Sequence, residues 1–229
     1  STQYRNRVEV DPFGSAGIGA IQPFVGSLGG VVSTRVSNMV GYYLPSKLGG
    51  LYGQAQIYLG ENASGLPNSK SGNGRNIRLG YAQGNLNVSV SAATTDYLAT
   101  ASAGDTASQS IALQYRIGEF NLMTGVYRDA VERTTSTLVG RGWTLGGIWS
   151  FGSENIKVAL SKYGQNLGAE PSTSKLSLGW EHRLSKRTTL YTDFAQVKNT
   201  GGATTALGGA VTAPNASSTG VDFGLKHTF

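Results

Sequence analysis

Apolar and polar residues alternate with a period of two through most of the chain. Within residues 51–59, for example, Ala55 and Ile57 alternate with Gln54 and Gln56. Such alternation is typical of a β-strand with one apolar and one polar face. The pattern predicts eleven strands and no helix, and the strands fall at 33–45, 51–59, 76–82, 86–92, 111–117, 120–126, 143–151, 156–161, 176–184, 190–194 and 219–229.

The connections between these strands alternate in length. The short ones are 46–49, 84–85, 118–119, 152–153 and 185–186, and most contain glycine, which supplies the positive φ that tight hairpins need. The long ones are 61–75, 98–107, 129–140, 164–174 and 198–218. We predict from this rhythm that all long loops lie at one end of an antiparallel sheet. Outer-membrane barrels are arranged in this way, with short periplasmic turns and longer external loops.

The composition is unusual for a soluble protein and agrees with a membrane barrel. Charged residues make up 14% of the 229 residues, below the roughly 25% of soluble domains. Mean hydropathy is −0.17, and no apolar stretch approaches the ~18 residues of a transmembrane helix. Cysteine is absent, which excludes disulfides, cysteine-ligated zinc and thiol catalysis. The net charge of +6 is scattered along the chain, so we predict no nucleic-acid partner.

The last strand and the aromatic residues favour the same fold. In residues 220–229, Val221, Phe223, Leu225 and Phe229 share one face, and the final aromatic is the last residue. A membrane barrel has reason to place an aromatic where its wall meets the interface, and other aromatics also cluster near strand ends. We predict an all-β transmembrane antiparallel β-barrel, located in the outer membrane of a Gram-negative bacterium.

An odd number of strands cannot close an all-antiparallel barrel from one chain. Residues 1–32 contain Pro12, Pro23 and repeated glycine without strand periodicity, so they predict a compact loop and not a twelfth strand. A loop of this length is expected to have a function.

Four segments together resemble the trimeric general diffusion porins of β-proteobacteria. Residues 8–19 (VEVDPFGSAGIG) resemble the third loop of that family, and residues 37–45, 184–191 and 224–229 resemble its strands and its C-terminus. The resemblance implies a sixteen-stranded barrel whose third loop folds into the pore between strands five and six. It also implies that this chain is the C-terminal two-thirds of one protomer, an incomplete single domain over 1–229 with the constriction loop at 1–32 and the strands and loops at 33–229.

The function implied by the resemblance is a water-filled channel for passive diffusion of ions and small hydrophilic solutes, with no enzymatic activity and no cofactor. The basic net charge favours anions. The implied partners are a homotrimer of this chain, outer-membrane lipid and lipopolysaccharide, and the barrel-assembly machinery, which would recognise Phe223, Leu225 and Phe229. Two alternatives stay open from the sequence: a barrel that acts as an adhesin or structural receptor, and a barrel enzyme. No nucleophile-elbow pattern is present, and the two histidines have no metal-binding spacing.

Five residues are predicted to line the pore constriction. Glu9 and Asp11 are the acidic candidates on the loop, although either could instead be a turn or capping carboxylate. Arg35 follows the loop, at a position where the family often carries a pore arginine. Arg78 and Arg116 lie on the polar faces of their strands and could also be salt-bridged wall residues without a role in selectivity.

Overall fold

The computed structural model describes residues 1–15, 17–21, 34–166 and 168–229. Parts of three predicted segments lie outside the described residues: 16 and 22–32 of the loop, 33 of the first strand and 167 of the connection 164–174. The elements are, in chain order, α1 (Thr2–Val8), β1 (Met39–Tyr43), β2 (Leu51–Tyr58), β3 (Gly74–Gln83), β4 (Leu86–Thr95), β5 (Thr106–Ile117), β6 (Phe120–Glu132), β7 (Thr137–Phe151), β8 (Glu154–Gln165), β9 (Ser172–Arg183), β10 (Thr188–Thr200) and β11 (Ser217–His227).

The strands form one antiparallel sheet in which each strand pairs with the next along the chain. Eleven strands are present among the described residues, as predicted, and every pairing is antiparallel. The sheet is not closed, because β1 and β11 lie at its two edges. This sequential antiparallel order is that of an up-and-down barrel wall.

The two faces of the sheet are as the alternation predicts. In β2, Gln54 and Gln56 are 8% and 7% exposed, whereas Ile57 is 61% exposed. The polar face is the one on which the N-terminal helix packs, and we call it the inner face; the apolar face points outward. Soluble barrels have the opposite arrangement, so the outer face requires an apolar environment.

Glycine forms three of the tight hairpins. Gly84, Gly118 and Gly152 have φ values of 58°, 57° and 54°, in the left-handed region that two-residue turns require. These turns lie at one end of the sheet with the connections 44–50 and 184–187, and we call this the turn end. The connections 59–73, 96–105, 133–136, 166–171 and 201–216 lie at the other end, which we call the loop end.

The predicted contrast in loop length is wrong at two connections. The loops at 133–136 and 166–171 are much shorter than predicted, because β6 continues to Glu132 and β7 begins at Thr137. The hydrogen-bonded ladder uses backbone groups, so it extends through polar and glycine residues that do not continue the apolar alternation.

The prediction of no helix is also wrong. Ser1 caps α1, and its side-chain oxygen accepts a hydrogen bond from the Tyr4 backbone N–H at 3.4 Å. A helix of seven residues is not stable alone in water, so its conformation depends on packing against the inner face of β3, β4 and β5. Among the described residues, no helix is long and apolar enough to cross a membrane.

Among the described residues, apolar packing inside the sheet is limited to three small clusters, each of which includes at least one residue of the N-terminal segment. Val10 packs with Ala112 and Met123, and Phe13 belongs to a cluster that includes Ile21. The segment 1–21 therefore covers part of the inner face, and most of its contacts there are polar.

Candidate functional site

Four serines on the inner face receive the helix α1. Gln3 donates to the Ser108 carbonyl oxygen at 2.9 Å and accepts a hydrogen bond from the Ser91 hydroxyl at 3.0 Å. Asn6 donates to the Ser110 hydroxyl at 2.9 Å and accepts from the Ser89 hydroxyl at 2.5 Å. The helix lies close to the strands because these side chains are small. Buried polar groups of this kind are costly unless they are hydrogen-bonded, so the partners fix the position of α1.

Arg7 forms a fully buried ion pair with Asp129 of β6. Its two terminal nitrogens are 3.2 Å and 2.6 Å from the two carboxylate oxygens, and the side chains are 0% and 2% exposed. Ser108 and Tyr163 donate to the same carboxylate at 2.7 Å and 2.8 Å. The Arg7 guanidinium also lies 4.9 Å from the centre of the Tyr127 ring. The attraction within a buried ion pair offsets the desolvation of its charges only if further hydrogen bonds satisfy the remaining polar atoms. Ser108 and Tyr163 do this for the carboxylate.

Glu9 and Arg78 form a second ion pair. Here the acidic residue belongs to the N-terminal segment and the basic residue to the wall, the reverse of the first pair. The Glu9 carboxylate contacts both terminal nitrogens of Arg78, one of them at 3.2 Å, and also the Arg5 side chain at 2.9 Å. Arg78 additionally donates to Asn6 at 2.8 Å and lies over the Tyr52 ring at 5.0 Å. Its side chain is 3% exposed, whereas that of Glu9 is 29% exposed.

Asp11 closes the loop on itself. Its carboxylate accepts hydrogen bonds from the backbone N–H groups of Phe13 at 2.9 Å and Ile21 at 2.7 Å. The residue is 4% exposed. Burial raises the pKa of the Asp11 carboxyl to about 6, although these two hydrogen bonds and the charges of Lys175 and Lys157 act in the opposite direction. In this geometry Asp11 is a turn carboxylate, the alternative already open from the sequence.

The end of the described loop is held through its backbone. Lys175 donates to the Ala20 carbonyl oxygen at 2.5 Å, and Ser177 donates to the Gly19 carbonyl oxygen at 2.9 Å. The Ile18 N–H donates to Asp222 of β11 at 3.0 Å. These contacts join the loop to β9 and β11, far from the strands that receive α1.

A mixed group of charges lies under Phe13. The Lys157 ammonium is 4.6 Å from the centre of the Phe13 ring, 3.0 Å from Glu181 and 3.5 Å from Asp193. The carboxylates on this part of the inner face are thus close to a lysine that balances part of their charge.

Three basic residues at the turn end of the inner face have no ion pair within the described part of the chain. Arg116, Arg183 and Lys226 are all exposed. Arg183 and Lys226 both face Thr189 of β10, one from each neighbouring strand, so they lie in one row. Arg116 lies two residues beyond Gln114, whose side chain donates to the Glu9 carbonyl oxygen.

The structure brings together only some of the predicted constriction residues. Glu9 and Arg78 are in contact, Arg116 lies toward the turn end, and Asp11 is buried within the loop. Arg35 is exposed and precedes β1, which begins at Met39 and not at residue 33.

Sequence reasoning missed Arg7, Asp129 and Lys175. The first two are 122 positions apart, and no local pattern marks such a pair. The alternation of side chains along the strand could have identified Lys175. It shares the inner face with Ser177, while Leu176 and Leu178 point outward.

The predicted assembly residues lie on the outward face and at the end of the chain. Phe223 and Leu225 of β11 are 85% and 58% exposed on the outer face. Phe229 follows the strand and is fully exposed, with its ring 4.9 Å from that of His227.

Comparison with known proteins identifies the family. Residues 2–202 match the Gram-negative porin family. Outer membrane porin protein 32 of Delftia acidovorans is 26% identical over 238 residues, which include 96% of this chain and 65% of that protein. The chain therefore spans a little less than two-thirds of this curated relative.

Solved porin structures share the fold. An anion-selective porin from Comamonas acidovorans superposes with a TM-score of 0.88 at 23% identity, over 99% of this chain and 71% of that one. OmpT of Vibrio cholerae gives a TM-score of 0.61 at 14% identity, over 82% of this chain and 64% of that one. The antiparallel sheet has a polar inner face and an apolar outer face, and the N-terminal segment packs on the inner one. Together with the family match, these features lead us to conclude that this chain belongs to the Gram-negative porin family and lies in the bacterial outer membrane.

Proposed function

We propose that the chain forms the greater part of the wall, and the constriction loop, of a water-filled channel for passive diffusion of ions and small hydrophilic solutes. The observation that carries this proposal is the segment 1–21, which is bound to the inner face by ion pairs and hydrogen bonds. A segment fixed there narrows the space that the wall encloses. Diffusion needs no covalent step, and the proposal assigns none to the chain.

We propose that the channel prefers anions. Asp129 and Glu9 are balanced by Arg7 and Arg78, so they add little negative field to the lumen. Arg116, with Arg183 and Lys226, leaves positive charge on the inner face. Fixed charges in a pore select ions of the opposite sign.

The five predicted constriction residues have different roles within this proposal. Glu9 and Arg78 line the loop side as a neutral pair, and Asp11 shapes the loop. Arg35 and Arg116 supply positive charge to the lumen.

The proposed protomer is a single barrel of sixteen strands, eleven of which this chain contributes, and it assembles as a homotrimer. The resemblance to trimeric porins supports this, as does the open sheet with an edge at β1 and another at β11. In the same proposal the barrel-assembly machinery recognises Phe223, Leu225 and Phe229. Among the described residues, no observation favours an adhesin or a barrel enzyme.

Reversal potentials in a KCl gradient across planar bilayers test the proposal. The full-length porin that contains this chain should show anion preference, and replacing Arg116, Arg183 and Lys226 together by Gln should reduce the permeability ratio severalfold. Arg75→Gln is the matched control, because Arg75 is basic but points outward. Cation preference in the unsubstituted channel, or an equal effect of the control, would contradict the proposed selectivity.

A further inference from the structure

The connection between β10 and β11 bends back onto the inner face of the sheet. Its residues Ala203, Thr205 and Leu207 are buried, with exposed fractions of 4%, 3% and 8%. The Asn199 side chain of β10 donates to the Thr205 carbonyl oxygen at 2.8 Å and accepts from the Thr205 N–H at 3.2 Å. The Leu207 N–H donates to the Ser218 hydroxyl oxygen of β11 at 3.2 Å. Two neighbouring strands therefore hold this connection over the inner face.

The same connection meets the end of the N-terminal segment. Leu207 packs with Val197 of the wall and with Ile18. The Leu207 and Ile18 side chains both lie over Gly220, where an added Cβ would be 3.5 Å from a methyl carbon of each. Between the two segments and the wall is a pocket of ≈ 590 Å³, a volume typical of sites for small molecules. Residues 204–210 and the end of the described loop line this pocket.

Two wall residues of opposite charge also line the pocket, Lys175 of β9 and Asp222 of β11. Their charges interact through space, but no ion pair joins the two side chains in the described structure. The pocket thus has a cation and an anion on its walls that do not neutralise each other by direct contact.

Both charged groups have hydrogen-bonding capacity that the described residues do not fill. Lys175 is 4% exposed, and its ammonium has three N–H donors but only one acceptor in the described part of the chain, the Ala20 carbonyl oxygen at 2.5 Å. One carboxylate oxygen of Asp222 accepts from the Ile18 N–H at 3.0 Å, whereas the other is buried and has no hydrogen-bond partner among the described residues. Buried polar atoms are usually hydrogen-bonded, so these groups suit a ligand that brings an acceptor to one and a donor to the other.

We propose that this pocket binds a small zwitterionic solute, an amino acid or a short peptide, as the solute passes through the channel. The carboxylate of the solute accepts hydrogen bonds from the Lys175 ammonium, and its ammonium donates to the unbonded oxygen of Asp222. Hydrogen bonds to charged groups are stronger than those between neutral groups. A solute with only one charge satisfies one of the two wall residues and leaves the other unpaired. The inference names a solute class for the channel and therefore rests on the proposed function.

Current recordings from the full-length porin in planar bilayers test this site, with glycylglycine as the probe. The dipeptide should cause brief, saturable blockades of the KCl current. N-acetylglycine lacks the ammonium and glycinamide lacks the carboxylate, so each should bind about tenfold more weakly than glycylglycine. Glycylglycine has no net charge near neutral pH, so anion preference of the channel does not favour it over N-acetylglycine.

Two variants each remove one charge from the pocket. Asp222→Asn keeps an oxygen that can accept from the Ile18 N–H, and Lys175→Met keeps an unbranched side chain without the ammonium. Each should weaken glycylglycine binding about tenfold. Glu181→Gln is the matched control, because Glu181 is an inner-face carboxylate that contacts Lys157 and does not line the pocket. This control should bind glycylglycine as the unsubstituted channel does.

The three solutes separate a binding role from a structural one. If Lys175 and Asp222 only shape the loop, their variants should change the blockades by all three solutes by the same factor, and such a uniform change would overturn the proposal. Equal binding of the three solutes to the unsubstituted channel, or no blockade by glycylglycine, would also overturn it. Conductance without solute is measured in the same bilayers. A channel that conducts ions but does not bind glycylglycine contradicts only this site, whereas a lack of conductance contradicts the proposed function.

Discussion

The two ends of the described loop are held to the wall by different chemistry. Residues 2–9 are fixed by their own side chains, through Arg7, Glu9 and the amides that meet the serines of β4 and β5. Residues 18–20 are fixed through their backbone, by Lys175, Ser177 and Asp222. The first stretch therefore depends on its own sequence, whereas the second depends on the sequence of the wall.

The largest effect is expected from breaking the buried ion pair. Asp129→Asn leaves the Arg7 guanidinium buried with no counter-charge, which costs about 3–5 kcal/mol. Hydrogen exchange of the full-length porin should show that amides 2–9 lose protection, while amides 18–21 keep theirs because their anchors are on other strands.

A double variant provides the control for this experiment. Arg7→Met/Asp129→Leu removes both charges and should cost less than Asp129→Asn alone, since no unpaired charge remains buried. If the single and double variants lost equal protection, the ion pair would not be what fixes the first stretch.

An intermediate effect is expected from pH, because Asp11 connects the two stretches. Its carboxyl has a pKa of about 6 in the folded loop and an ordinary value of 3.8, so the folded loop binds the proton more strongly. Stability of the loop conformation is therefore greatest at low pH, and it falls as pH rises from about 4 to about 6. The change is on the order of 2 kcal/mol.

Exchange rates corrected for their intrinsic pH dependence measure this effect at Phe13 and Ile21. Asp11→Asn has no titrating group and should give a flat profile over the same range. A rise in protection between pH 4 and pH 6 in the unsubstituted protein would show that the sign is wrong.

The smallest effect is expected at the second stretch. Ser177→Ala removes one hydrogen bond to the Gly19 carbonyl and should cost about 1 kcal/mol, seen as faster exchange at residues 18–21 only. Ser161→Ala is the matched control, because Ser161 is also buried on the inner face but makes no hydrogen bond with the loop in the described structure. Loss of protection at residues 2–9 as well would mean that the two stretches are not held independently.

The sequence predicted the wall better than the site. Alternation such as that of Gln54 and Ile57 reports which face of a strand is apolar, and this depends on neighbouring residues only. It fails where the ladder extends through polar residues, as in β6 beyond Val126, and it cannot indicate a short helix that is stabilised by packing.

The site depends on pairs that lie far apart in the chain. Glu9 was identified as an acidic residue of the predicted loop and Arg78 from its place on the polar face of a strand, but their contact follows only from the fold. Asp129 falls in the predicted connection 129–140, so the alternation did not place its carboxylate on a strand face, and the structure shows it inside β6.

The ion pair of Arg7 also has a consequence for the order of assembly. Its partners Ser108 and Asp129 are synthesised 101 and 122 residues later, and the helix cannot persist without them. Residues 2–8 therefore stay unfolded and hydrated until β5 and β6 have paired. Before the strands pair, the charged side chains of this segment keep it hydrated. After the wall has formed, the same side chains determine where the segment binds.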